Sequence, residues 1–223
     1  MCQRIVSMFI LKYIFFFILL FNPLNTQIYD FSDFPNEDES FTTANFRIYI
    51  SEDIDTIRGI YAYMHGFGGD SRSIVQDSLM QELSKSVDFA LLGVQLDNMY
   101  MDSGIGNSLI DAKANFANQS NHTELMYSPV FFDGHSWGGQ WSYHYTKWNP
   151  EDVIAFITMK GGYHDTTYSE SVISVPGYMF VGENDSDYRI ENLTDIFLKH
   201  RPSDAVWTLA MEPNAAHNRI DDR

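Results

Sequence analysis

The nine residues Phe131–Gly139, FFDGHSWGG, constrain this chain more than any other stretch of it. The apolar run PVFF enters the stretch, and a helix-like segment with no proline leaves it. At its centre is G-x-S-x-G, formed by Gly134, His135, Ser136, Trp137 and Gly138. A strand that turns directly into a helix holds the central serine in strained backbone geometry and pushes its hydroxyl outward. Side chains two positions to either side would run into the neighbouring strand and helix, so glycine is favoured there. The new helix also aims its first amides at the hydroxyl. A turn of this kind needs a strand and a helix packed in layers.

The rest of the chain supplies those layers. Strands are expected at Phe46–Ile50, Gly59–Met64, Phe89–Leu96, Pro129–Asp133, Val153–Thr158, Val175–Val181 and Ala205–Leu209. Several are continuous apolar runs, as in strands covered on both faces. Helices are expected over 72–86, with Val75, Leu79 and Leu83 inward and Asp70 or Ser71 as cap, and over 108–118, with Ile110, Ala114 and Ala117 inward. Two more are expected over 140–148 and 190–200. Alternating strands and helices predict a doubly wound, mostly parallel α/β sheet of about seven to eight strands. The first two strands, joined by about eight residues, are expected to pair antiparallel. The segment Asp97–Asn107 follows a strand and is loop-like, where active-site loops usually sit.

Composition narrows the function. The 223 residues fit one domain with a real core, and 44% hydrophobic content excludes a disordered chain. Fourteen basic against 30 acidic residues give a net charge of −16, which argues against nucleic acid as a partner. Residues 1–27 carry Arg4 and Lys12, no acid and a short apolar run from Tyr13 to Phe21, and so read as a signal peptide. The run falls short of the about 20 residues of a membrane span. Its removal would leave 12 basic and 30 acidic groups, a charge of −18, on a secreted or periplasmic domain. Residues 28–45 are expected to be an irregular acidic lead-in, and 46–223 the folded domain. The sole cysteine, Cys2, lies in the leader, which excludes disulfides, thiolate catalysis and cysteine metal sites from the mature chain. No metal-ligand spacing is evident and no cofactor is required.

The serine turn and its surroundings resemble the α/β-hydrolase family, over roughly residues 46–217. The resemblance implies an eight-stranded sheet and the chain order nucleophile, acid, histidine. Ser136 is then the nucleophile. The acid falls where the strand VPGYMFV runs into Gly182-Glu183-Asn184-Asp185; Asp185 is preferred, with Glu183 and Asp187 open. The base is His217, in Pro-Asn-Ala-Ala-His-Asn. Backbone amides of Phe67, in His65-Gly66-Phe67-Gly68-Gly69, and of Trp137 form the oxyanion hole by analogy, and His65 orders that loop. Phe67, Trp137, Tyr163 and Tyr188 are expected to line the substrate pocket. His135 and His164 are lesser site candidates, and His122 and His144 are surface or packing residues. Spacing of 49 residues from serine to acid and 32 from acid to histidine leaves no room for a large cap domain. Only six residues follow His217, where the family adds a covering helix. The resemblance implies a secreted serine esterase of the lipase or polyester-hydrolase kind, acting on an ester substrate that an open cleft would admit as a polymer. A peptidase or amidase on the same machinery and a non-catalytic binding domain are the alternatives.

Overall fold

The computed structural model describes residues 27–217. The expected leader, apart from Gln27, and the last six residues lie outside them. Eight strands form one sheet in the order β1-β2-β4-β3-β5-β6-β7-β8. They are β1 (Ile28–Asp33), β2 (Ala44–Tyr49), β3 (Gly59–Met64), β4 (Phe89–Leu96), β5 (Val130–His135), β6 (Val153–Met159), β7 (Gly177–Gly182) and β8 (Trp207–Glu212). The helices are α1 (Ser78–Lys85), α2 (Ile105–Ser120), α3 (Trp137–Trp148) and α4 (Asp187–His200). The class is α/β, as the alternation of patterns requires.

The central strands carry the buried runs. Ala90, Leu91, Leu92 and Val94 of β4, and Val130 and Phe132 of β5, are buried, as in strands covered on both faces. All pairings from β4 through β8 are parallel, whereas β2 is antiparallel to both its neighbours. The expected antiparallel pair is therefore corrected. β2 and β3 are oppositely directed, but β4 lies between them. A connection of fewer than ten residues suffices to cross one intervening strand, so loop length alone did not fix the neighbour.

Three further expectations are corrected. The segment 28–45 is not an irregular lead-in throughout, because Ile28–Asp33 forms the edge strand β1. Its partners supply what its sequence lacks: every residue of β1 is registered against β2, and Phe31 packs on Phe46 and Phe116. The segment 72–86 is broken into a 3-10 turn, Arg72–Gln76, and the short α1, whose cap is Asp77 accepting from the Met80 amide at 3.0 Å. Val75 is buried, but Leu79 and Leu83 face solvent. In α2 the inward stripe is Ile105, Leu109, Ala112 and Phe116; of the expected inward residues Ala117 is buried, Ala114 half-buried and Ile110 exposed. The helical period was right there, but its phase was set by residues upstream of the expected start.

The link from β6 to β7 contains no helix; residues 160–176 run irregularly over the sheet, pinned by the buried Val172 and Val175. That link, the segment after β4 and the turns after β5, β7 and β8 all emerge at the carboxyl ends of parallel strands. In open α/β sheets this is the edge at which sites assemble.

Candidate active site

Ser136 is half-buried at the junction of β5 and α3 with φ 56° and ψ −121°, outside the regions L-residues prefer. Two observations explain why the chain tolerates this. The Ser136 amide donates to the Met159 carbonyl of β6 at 2.7 Å. The flanking glycines also let backbone touch backbone. A Cβ on Gly134 would lie 2.4 Å from the Gly138 carbonyl, and one on Gly138 only 2.3 Å from the Met64 carbonyl. The motif spacing thus reports a three-way backbone contact between β3, β5 and α3.

The three candidates distant in sequence meet at this hydroxyl. His217 Nε2 lies 3.0 Å from Ser136 Oγ, and His217 Nδ1 lies 3.1 Å from Asp185 Oδ2. The Asp185 side chain is almost wholly buried, and its other oxygen accepts from the Ser186 amide at 2.7 Å. A buried, hydrogen-bonded carboxylate on Nδ1 fixes the tautomer that leaves Nε2 facing the hydroxyl as acceptor. Glu183 does not reach the imidazole: its carboxylate is exposed and accepts from the Asn214 amide at 2.7 Å, tying down the turn that carries His217. Asp187 is exposed in the first turn of α4.

The loop 213–217 is fastened by hydrogen bonds from several sources. Asn184 N donates to Ala215 O at 2.8 Å, and Glu183 N donates to Glu212 O at 3.0 Å. A Cβ on Gly182 would lie 2.6 Å from Ala215 O, so that approach also requires glycine. From the nucleophile side, His135 Nε2 donates to the His217 carbonyl at 2.8 Å, and the two rings lie 5.1 Å apart. His135 therefore braces the base loop as well as its own turn.

The loop expected to bind an oxyanion is also ordered as its sequence suggests. His65 Nδ1 donates to Gly66 O at 2.6 Å, its Nε2 accepts from Leu96 N at 2.9 Å, and its ring stacks on Trp137 at 5.2 Å. Burial lowers the His65 pKa, against the opposing pull of the Gly66 carbonyl, so the ring stays neutral. Among the hydrogen bonds of the described residues, none uses the amide N–H of Phe67 or Trp137. Both residues wall the same cavity as Ser136, with a volume of about 590 Å³.

That cavity separates the expected pocket residues. Phe67, Trp137 and Tyr163 line it. Tyr188 does not; it stands behind Tyr163, ring centroids 5.4 Å apart. Asn98, Met99 and Tyr100 line it too, from the segment whose loop character and position after a strand marked it in advance. Gln140 and Arg189 were missed. Gln140 bridges two loops, accepting from Gly162 N at 2.9 Å and facing Met99. Tyr100 and Tyr163 also wall a second cavity of about 660 Å³, reaching Trp148 and Asp165.

The other histidines are structural. His144 joins Met99 O to Asp165 N, and His164 is buried between Thr158 and Asn192. Burial lowers both pKa values, that of His164 to about 3, although Asn192 opposes the shift. His164 thus leaves the list of lesser site candidates, and His144, expected as surface or packing, is packing. His122 pairs with Glu124.

The strand order, the serine turn and the convergence of three loops at one sheet edge define the α/β-hydrolase fold. No protein-family model matches the chain, and no curated protein matches it by sequence. Solved structures do. A thermostable esterase superposes with a TM-score of 0.63 at 16% identity, over 84% of this chain and 54% of that one, so this chain spans about half its length. A bacterial heroin esterase gives 0.60 at 14% identity over 90% and 80% of the two chains. A fluorophosphonate-binding serine hydrolase of Staphylococcus aureus gives 0.58 at 10% identity over 86% and 91%. At such identities the likeness is one of fold.

Proposed function

We propose that the protein is a serine hydrolase that cleaves carboxylic esters through a covalent acyl-enzyme. One observation carries the reading: the line from Ser136 Oγ through the His217 imidazole to the Asp185 carboxylate, with both hydrogen bonds near 3 Å. Solved structures of the same fold that bear the names esterase and serine hydrolase support it.

In this mechanism Ser136 Oγ attacks the ester carbonyl carbon as its proton passes to His217 Nε2. The carbonyl oxygen becomes an oxyanion held by the amides of Phe67 and Trp137, each worth about 2.7–4 kcal/mol in the transition state. Asp185 stabilises the imidazolium without taking its proton. The carbon–alkoxy bond then breaks, and the alcohol leaves with the proton from Nε2. A water molecule repeats the sequence on the acyl-enzyme: its proton goes to His217, its oxygen to the acyl carbon, and Ser136 recovers its hydrogen as the acid departs. The serine turn meets the geometric demands of the step, because its strained backbone costs nothing further when the substrate arrives.

A fluorophosphonate probe tests the reading directly. The wild type is expected to label at Ser136, and Ser136→Ala to remain unlabelled while hydrolysing no p-nitrophenyl ester. Labelling elsewhere, or ester turnover by the alanine variant, would overturn it. Matched ester and amide substrates decide the bond class: ester preference supports the proposal, equal turnover a peptidase. We also infer export, since residues 1–27 carry a charged start, an apolar run and a polar exit; an N-terminus beginning near residue 28 on protein recovered from outside the cytoplasm is the expected result.

A further inference from the structure

We propose that Arg189 is an anion subsite of the Ser136 cavity, selecting esters that carry a free carboxylate close to the scissile bond, such as half-esters of dicarboxylic acids. The proposal rests on the esterase reading for the bond that is cut, and on Arg189 itself for the group that is held.

Among the described residues, Arg189 is the only basic one lining that cavity, in a chain with a net charge of −16. A strongly acidic protein repels anions over most of its surface, so an arginine on the wall of the cavity that holds Ser136 creates a local exception. The one carboxylate among the described lining residues, Asp97, is already committed, accepting from the amide and hydroxyl of Thr42.

Arg189 sits one helical turn beyond Asp185, and the two look at first like an ion pair. Their geometry says otherwise. Nη1 is 3.5 Å from Asp185 Oδ1, the longest ion pair of the described residues. Both Asp185 oxygens have nearer partners, the Ser186 amide and the His217 ring. Among the described residues, the one side-chain hydrogen bond of Arg189, to Ser186 Oγ at 3.4 Å, again uses Nη1. A guanidinium has five N–H donors. Among the described residues, nothing accepts from Nε or Nη2.

The head is nevertheless held in place. Its Cζ lies 4.6 Å from the centre of the Tyr188 ring, and Tyr188 is backed by Tyr163, itself a cavity wall. A cation held over an aromatic face is restrained, and a restrained fork with open donors suits bidentate binding of a carboxylate. Tyr188, expected as a substrate contact, acts in this reading through Arg189. The donor count favours a carboxylate over a neutral polar group, because the open Nε and Nη2 match a carboxylate's two oxygens, whereas a single neutral acceptor fills one of them.

The test compares p-nitrophenyl hydrogen adipate with its methyl ester, which differ in the remote charge and the methyl group that caps it. The wild type is expected to prefer the anionic ester by about tenfold in kcat/KM, a preference that salt weakens. Arg189→Gln should erase most of that ratio, and Arg189→Lys should keep part of it. Equal losses on both esters would instead make Arg189 a support for Asp185 and overturn the proposal, as would a wild-type ratio near one. Binding keeps the test independent of turnover. Methyl hydrogen adipate, measured by calorimetry, should bind Ser136→Ala about tenfold more tightly than Ser136→Ala/Arg189→Gln. Binding lost with Arg189 but no hydrolysis by the wild type would retain the subsite and remove the esterase reading. Hydrolysis of the neutral ester with no charge preference and no Arg189-dependent binding would do the reverse.

Discussion

The turn that presents Ser136 and the loop that presents His217 meet at two hydrogen bonds, Ser136 Oγ to His217 Nε2 and His135 Nε2 to His217 O, yet different means hold them. The turn is fixed by exclusion: backbone atoms of β3, β5 and α3 approach so closely that only glycine fits at 134 and 138. The loop is fixed by attachment, through Asn184 and Glu183 in the turn after β7 and His135 in the serine turn. Exclusion leaves a local mark in sequence. Attachment does not, because each tether is an ordinary residue whose partner lies about 30 to 80 positions away.

The largest effect sharpens what the two regions share. Ser136→Ala and His217→Ala should each lower ester kcat by about 10⁶-fold, and the double variant should lose little more, because the pair acts as one unit. Steady-state kinetics on a p-nitrophenyl ester checks this, and additive losses would mean that the two groups do not act together. Asp185→Asn keeps the volume but offers the imidazole the wrong partner, so kcat should fall by about 10⁴-fold with the fold unchanged by circular dichroism. Glu183→Gln should fall far less, since Glu183 touches the loop and not the ring.

Glycine substitutions separate exclusion from attachment. In Gly138→Ala the new methyl meets the Met64 and His65 carbonyls, which belong to β3 and its exit and cannot move, so stability should drop by about 3 kcal/mol or more. In Gly182→Ala the methyl meets the carbonyls of Ala215 and Ala216, which belong to the attached loop and can shift. Activity should then suffer more than the midpoint of urea unfolding. Gly66→Ala is the control: its Cβ would meet nothing within 4 Å, and stability should hardly change. If Gly182→Ala proves as destabilising as Gly138→Ala, the contrast between the regions fails.

Acid probes the walls on which both regions lean. Burial lowers the pKa values of His65, His144 and His164, the last to about 3, so the native state keeps these rings neutral. An unfolded histidine binds its proton near pH 6.5, and between there and the lowered native value the unfolded chain holds more protons. Stability is therefore fully present above about pH 6.5 and declines as pH falls, by up to about 1.4 kcal/mol per pH unit for each such ring. Urea titrations at pH 7, 6 and 5, above the main carboxylate range, should show the decline, and His164→Gln should flatten it. A flat profile in the wild type would mean that these rings are not held neutral.

How far the sequence could be read follows the same division. The strands β3 and β4 were legible to the residue, because continuous apolar runs end abruptly at turn residues. The serine, the loop expected to hold an oxyanion and the preferred acid sat in glycine-marked turns after strands. Strand β1 was illegible: alone, IYDFSD is a polar-aromatic mixture, and only pairing with β2 makes it a strand. Arg189 was illegible for a related reason. Nothing in Asp-Tyr-Arg-Ile says which way an arginine in the first turns of a helix will face. The phase of α2 failed because Gly104 and Ile105 start the helix three residues earlier than its polar composition suggested.

His135 gives the smallest effect and the sharpest test of attachment. Its position in the G-x-S-x-G turn is invisible to steric argument, since the motif leaves that residue open. Its Nε2 nevertheless donates to the carbonyl of the residue that carries the base. Removing the donor should let His217 sample positions too far from Ser136 Oγ for proton transfer, and misplacement of a catalytic group is costly even at small distances. His135→Ala is therefore expected to lower kcat by about tenfold while KM changes little, because the cavity walls remain. His135→Gln, which offers an amide N–H from a side chain of similar reach, should recover part of the loss. Measured by steady-state kinetics, equal losses in the two variants would mean that the ring's bulk matters and its hydrogen bond does not, and the loop would then owe its position to Asn184 and Glu183 alone.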